Sequence, residues 1–111
     1  MARFPEIQYE YLSAYVINKE NDIQNAIKEA IYTPEKADEA RKYQNFLILF
    51  TRLLCEFEKK EVEKWVKKEY FPVAECLEVC RNMKHMAGEA VLVKRGGDYF
   101  GAIRIYLKML D

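Results

Sequence analysis

An all-α fold is predicted by three observations on this 111-residue sequence. Apolar residues recur at three- and four-residue spacing almost from end to end, only four glycines and three prolines interrupt them, and no stretch alternates with the period of a half-buried strand. About seven short helices joined by tight turns follow, arranged as antiparallel hairpins stacked into an α-solenoid.

The first helix is predicted from Pro5 to Ile17, because proline suits a first helical turn and Ile7, Tyr11, Ala14 and Tyr15 share one face. Asn18-Lys19-Glu20-Asn21 reads as a break, after which Asp22 caps a short helix carrying Ile23, Ile27, Ala30 and Ile31. Thr33-Pro34 opens the third and longest helix, whose Tyr43, Phe46, Leu47, Phe50, Leu53, Leu54 and Phe57 keep helical register. Ile48 and Leu49 widen that set nearly all round, the pattern of a helix buried between neighbours. A lysine-rich fourth helix, Lys60 to Tyr70, buries Val62, Trp65, Val66 and Tyr70. Phe71-Pro72 stops it, since proline disfavours helix in the residue before it. The fifth helix, Pro72 to Met83, carries Cys76, Leu77 and Cys80, and the sixth, His85 to Lys94, ends at Gly96-Gly97, where a left-handed cap is easily supplied. Asp98 caps the last helix, Tyr99 to Leu110, with Ala102, Ile103, Tyr106 and Leu110 in register on its packed face.

Charge excludes several classes of function. Lysine plus arginine equals aspartate plus glutamate at 18 each, and neither half of the chain carries a strong excess of one sign. Nucleic acid and anionic membrane surfaces are therefore not expected partners. The opening residues lack the apolar core of a secretory signal, and the longest bulky apolar run, Phe46 to Phe50, falls far short of the roughly 20 residues a bilayer span needs. With three cysteines, Cys55, Cys76 and Cys80, a cytosolic chain with reduced thiols is the expectation.

Few residue groups suggest chemistry. Cys76, Cys80 and His85 offer three soft ligands, but zinc sites normally add a second closely spaced pair and none is present, so small buried residues between helices fit better. His85, the single histidine, stands at a predicted helix boundary, where a capping role is the simpler reading. Gly96-Gly97 has neither the spaced glycines nor the preceding strand of a nucleotide loop. No catalytic, metal or cofactor residues are expected. Among the aromatic residues Phe4, Tyr9, Tyr11 and Tyr15, Tyr11 and Tyr15 share the core stripe and Tyr9 falls off it.

The second half carries a more specific pattern. A leucine-rich helix ends Leu53-Leu54-Cys55-Glu56-Phe57, and a lysine-rich helix with Val62, Trp65 and Val66 follows. After these come Tyr70-Phe71-Pro72-Val73-Ala74-Glu75-Cys76-Leu77-Glu78-Val79-Cys80, then Met86-Ala87-Gly88-Glu89-Ala90-Val91 and Arg95-Gly96-Gly97-Asp98-Tyr99-Phe100-Gly101-Ala102-Ile103. In these features residues 46–111 resemble the clathrin heavy-chain repeat as it occurs in the large vacuolar-sorting subunits of the HOPS and CORVET tethering complexes. Phe4 to Leu12 resembles the helix preceding that repeat, whereas Asn18 to Arg41 has no counterpart.

The resemblance implies a non-enzymatic α-solenoid scaffold segment in endosomal and vacuolar protein transport, cytoplasmic and peripheral to those membranes. Its implied partners are other tethering-complex subunits and, through the parent protein, a Rab GTPase. Because the last amphipathic helix has no polar capping element after it, residues 1–111 are expected to be one segment of a longer solenoid, able to self-associate through open ends. Two rivals remain. A self-contained adaptor would bind a peptide or helix in an apolar groove lined by residues the packing leaves over, such as Tyr9, Leu107 and Met109. A small helical enzyme would use Cys76, Cys80 and His85.

Overall fold

The computed structural model describes the backbone of residues 3–110 and the side chains from residue 7 onward, so the side chain of Phe4 and all of Asp111 lie outside the described residues. The described residues form six α-helices: α1 (Arg3–Tyr32), α2 (Ala37–Phe57), α3 (Val62–Val66), α4 (Val73–Asn82), α5 (Met86–Arg95) and α6 (Tyr99–Leu110). Short 3-10 turns at Pro34–Lys36 and Lys59–Glu61 lead into α2 and α3, and no strand occurs among the described residues. No helix among them is long and apolar enough to cross a membrane.

The first departure from the sequence reading is α1. It is one continuous helix of 30 residues, with no break at Asn18-Lys19-Glu20-Asn21, and it is the longest helix of the chain. Of those four residues Lys19 and Glu20 are good helix formers, only the two asparagines are weak ones, and no glycine or proline stands among them. Val16 and Ile23, seven residues apart and so on one face, are both fully buried and clamp the polar turn between them. Glu20 adds a tertiary anchor by accepting hydrogen bonds from Lys68 Nζ at 2.8 Å and from the Tyr70 hydroxyl. The bonds from Lys68 and then Tyr70 hold the Glu20 carboxyl below its ordinary range, outweighing burial. This anchor contributes stability above the ordinary carboxylate range and loses it as the pH falls through the lowered native value.

Helix α2 lies at the centre, against α1, α3 and α4. Its Leu47, Phe50, Thr51 and Leu54 are fully buried, as the wide apolar pattern predicts. Phe50 stacks on Tyr9 with centroids 6.2 Å apart and receives the edge of Trp65 at 5.2 Å. Tyr9 is therefore part of the packed interior, half-buried against Phe50 and Phe57, while Tyr11 is 76% exposed. This reverses the face assigned from sequence: Leu12 and Val16, not Ile7 and Tyr11, form the buried stripe of α1.

The lysine-rich helix is shorter than predicted. It ends at Val66, and residues 67–71 form a turn that keeps Tyr70 and Phe71 buried. Arg95, reaching across from α5, donates to the carbonyl oxygens of Val66 and Phe71 at 2.9 Å each and to Glu69 at 2.8 Å. A continued helix would need those carbonyls differently placed, so one guanidinium both terminates α3 and ties it to α5.

Caps explain the remaining turns. The α4–α5 connection is a left-handed closure in which Lys84 takes φ +57° and His85 N–H reaches back to Cys80 O at 2.8 Å. Gly97, at φ +96°, plays the same part after α5, with Asp98 N–H bonded to Val93 O. Asp98 then caps α6 by accepting the Gly101 N–H at 2.8 Å. The whole fold measures 46, 39 and 19 Å along its three principal axes. The smallest equals about two helix diameters, so the helices form a slab two layers thick.

Gly88 sits where α5 presses hardest on its neighbours. A methyl group there would lie 2.8 Å from Val62 Cγ1 and 2.9 Å from Cys80 Sγ. Gly88→Ala is expected to lower unfolding free energy by about 1–3 kcal/mol through overpacking, despite alanine's better helix propensity. Thermal or denaturant unfolding checks it, and an unchanged or raised midpoint would contradict the packing described.

Candidate functional site

Among the described residues the chain offers a buried polar cluster, a groove between α1 and α2, and an apolar face on α6. The cluster contains the residues with most chemistry. Cys55 on α2 and Cys76 and Cys80 on α4 are all buried free thiols. Thr51 donates its hydroxyl proton to Leu47 O at 2.8 Å, leaving its oxygen to accept from the Cys76 thiol at 3.4 Å. Burial pushes the Cys76 thiol up to about 11. Hydrogen bonding to Cys55, and then burial, push Cys80 up as well. For Cys76 and Cys80 elevated pKa and closed access both work against thiolate reactivity, whereas the hydrogen bond with Cys80 lowers the Cys55 thiol, which is protected by burial alone.

His85 does not complete a catalytic pair. Its Nδ1 accepts the Gly88 N–H at 2.9 Å, which makes it the N-cap of α5, and Nε2 sits 2.8 Å from Lys59 O, to which it donates. Those partners assign the neutral tautomer with the proton on Nε2, and both ring nitrogens are then spent on backbone groups. No grouping of three or more His, Cys, Asp or Glu suited to a metal ion occurs among the described residues. Cys76, Cys80 and His85 thus read as packing and capping residues.

The groove between α1 and α2 has a volume of about 420 Å³ and an almost wholly apolar lining, formed chiefly by Ile7, Tyr11, Leu12, Tyr15, Phe46 and Leu49. Tyr15 and Phe46 close its floor, their rings 5.4 Å apart and tilted by 56°. Ile7, Tyr11 and Leu49 stand exposed along it.

Helix α6 is the more unusual surface. It packs on α5, and Ala102 is its one buried residue. Tyr99, Phe100, Ile103, Tyr106, Leu107 and Leu110 all remain exposed. The sequence register had placed Ile103, Tyr106 and Leu110 inward with Ala102. Ala102 instead is turned to α5 with Ile105 partly covered beside it, while Ile103, Tyr106, Met109 and Leu110 are exposed. A helix apolar on nearly all sides is normally buried, and α6 is covered on one.

No family model, curated protein or solved structure matches this chain. The site reading therefore rests on the residues themselves. Tyr9, Leu107 and Met109, the expected groove residues, do not come together: Tyr9 packs between Phe50 and Phe57, while Leu107 and Met109 are exposed on α6. The groove that does exist uses Ile7, Tyr11 and Leu49, which sequence periodicity had assigned to the core.

The thiol cluster gives a direct check. In native protein, Cys55, Cys76 and Cys80 are expected to react with a chromogenic disulfide reagent at least about 100-fold more slowly than after unfolding in denaturant. Rapid stoichiometric labelling of any of them without denaturant would contradict the buried cluster.

Proposed function

We propose that this chain is a non-enzymatic scaffold segment of a vesicle-tethering subunit, a clathrin-heavy-chain-repeat-like stretch of α-solenoid acting in endosomal and vacuolar protein transport. The observation that carries this reading is the order of packing. Most helix contacts join elements one or two apart along the chain, α1 with α2, α2 with α3 and α4, α3 with α5, α4 with α5, and α5 with α6, with the bonds of Glu20 to Lys68 and Tyr70 as a longer tie. Stacked hairpins have this one-dimensional connectivity, which leaves extended faces for holding partner proteins in fixed relation. Further support comes from the residues quoted above between Phe46 and Asp111, whose turns fall at Phe71-Pro72 and Gly96-Gly97-Asp98, between helices. In this reading other tethering-complex subunits and a Rab GTPase are the partners, at the cytoplasmic side of endosomal or vacuolar membranes.

The α1–α2 groove favours a second reading, a helical adaptor that receives an amphipathic partner helix through Ile7, Tyr11 and Leu49. Proximity labelling in the source cells separates the two. The scaffold reading expects tethering-complex subunits among the most enriched proteins, with labelling unchanged by Tyr11→Ala. Enrichment lost on Tyr11→Ala, with no tethering subunits present, would overturn it in favour of the adaptor.

A further inference from the structure

The exposed face of α6 has the register of a helix–helix seam. Tyr99, Ile103, Tyr106 and Leu110 follow one another at intervals of four, three and four residues, the alternation that lines one side of a coiled-coil helix. Phe100 and Leu107 widen the seam along one flank. These six side chains are between 42% and 82% exposed. Together they present on the order of 800 Å² of mostly apolar surface, about what each partner contributes to a standard protein–protein interface. Isolated soluble proteins rarely leave so large a continuous patch uncovered.

We propose that this face pairs with the same face of a second copy of the chain, α6 against α6 in antiparallel orientation about a twofold axis. The seam is self-complementary in that arrangement. A twofold passing between Arg104 and Ile105 sets Ile103 against Tyr106 of the other copy and Tyr99 against Leu110, so every layer joins an aromatic ring to an aliphatic side chain. The charges of the helix, Arg104 and Lys108, fall a quarter turn or more from the seam centre, so neither is buried in the seam. The pairing is argued from the face of α6 alone, so its failure would leave the proposed tethering role untouched.

Sedimentation velocity of the full chain across a micromolar concentration series tests it. A monomer–dimer equilibrium is expected, and Ile103→Arg is expected to weaken it by at least about 100-fold, because twofold symmetry buries the unpaired charge twice. Ile103 is exposed in the single copy, so the variant should keep the native far-UV circular dichroism and unfolding midpoint. Register is read by mixing Ile103→Cys with Tyr106→Cys under mild oxidation. Cross-linking between the two variants should exceed that within either one. A chain that stays monomeric throughout, a dimer indifferent to Ile103→Arg, growth into open-ended oligomers, or cross-links favouring like with like would each overturn the proposal.

Discussion

Phe50 stands where α1, α2 and α3 meet, and the rest of the packing hangs on the contacts of its ring. Tyr9 stacks on one side and Trp65 meets it edge-on. Trp65 in turn lies against Phe71, which packs on Tyr70. The Tyr70 hydroxyl then bonds Glu20 and returns to α1. The circuit is closed: α1, α2, α3 and the following turn hold one another through aromatic contacts and one carboxylate. Emptying its centre by removing a buried phenylalanine ring typically costs about 3–5 kcal/mol, a large share of a small domain's stability. The long α1 is continuous through a polar stretch because both of its halves are tied into this circuit.

The second half of the chain is joined to that centre by different means. Helices α4 and α5 are joined to it by small residues, Gly88 and the buried thiols, which let backbones approach closely, and by Arg95 gripping the turn after α3. Helix α6 is attached through α5 and buries little of its own apolar surface. The molecule therefore has a self-sufficient middle and an under-covered end. Exposed apolar side chains gather in two places, along α1 with Leu49 of α2 and on α6, and in α6 they make up most of the helix.

Most of the helical architecture was legible in the amino-acid order. Helix limits at Pro34, Pro72, Gly97 and Asp98 follow from residue types whose backbone preferences are local, so they survive folding nearly unchanged. The capping role of His85 was readable for the same reason. Periodicity was less informative wherever a helix is apolar on more than one side. In α6 it marks Ala102, Ile103, Tyr106 and Leu110 alike, and only three-dimensional packing shows that Ala102 faces α5 while the others face outward. In α1 the same ambiguity exchanged Tyr9 with Tyr11. The missing break at Asn18 to Asn21 has a nonlocal cause, since Glu20 finds its partners 48 and 50 residues away. What periodicity does record in α6 is an excess of apolar positions over those one neighbour can cover.

Amide hydrogen exchange at low and high protein concentration tests the account most directly. Helix α2 should be the most protected segment and indifferent to concentration, opening only with the whole fold. Helix α6 should exchange readily in dilute solution and gain protection as concentration rises. Equal protection of α6 and α2 in dilute solution, or exchange from α2 ahead of α6, would contradict both the central role of the aromatic circuit and the under-covered state of the last helix.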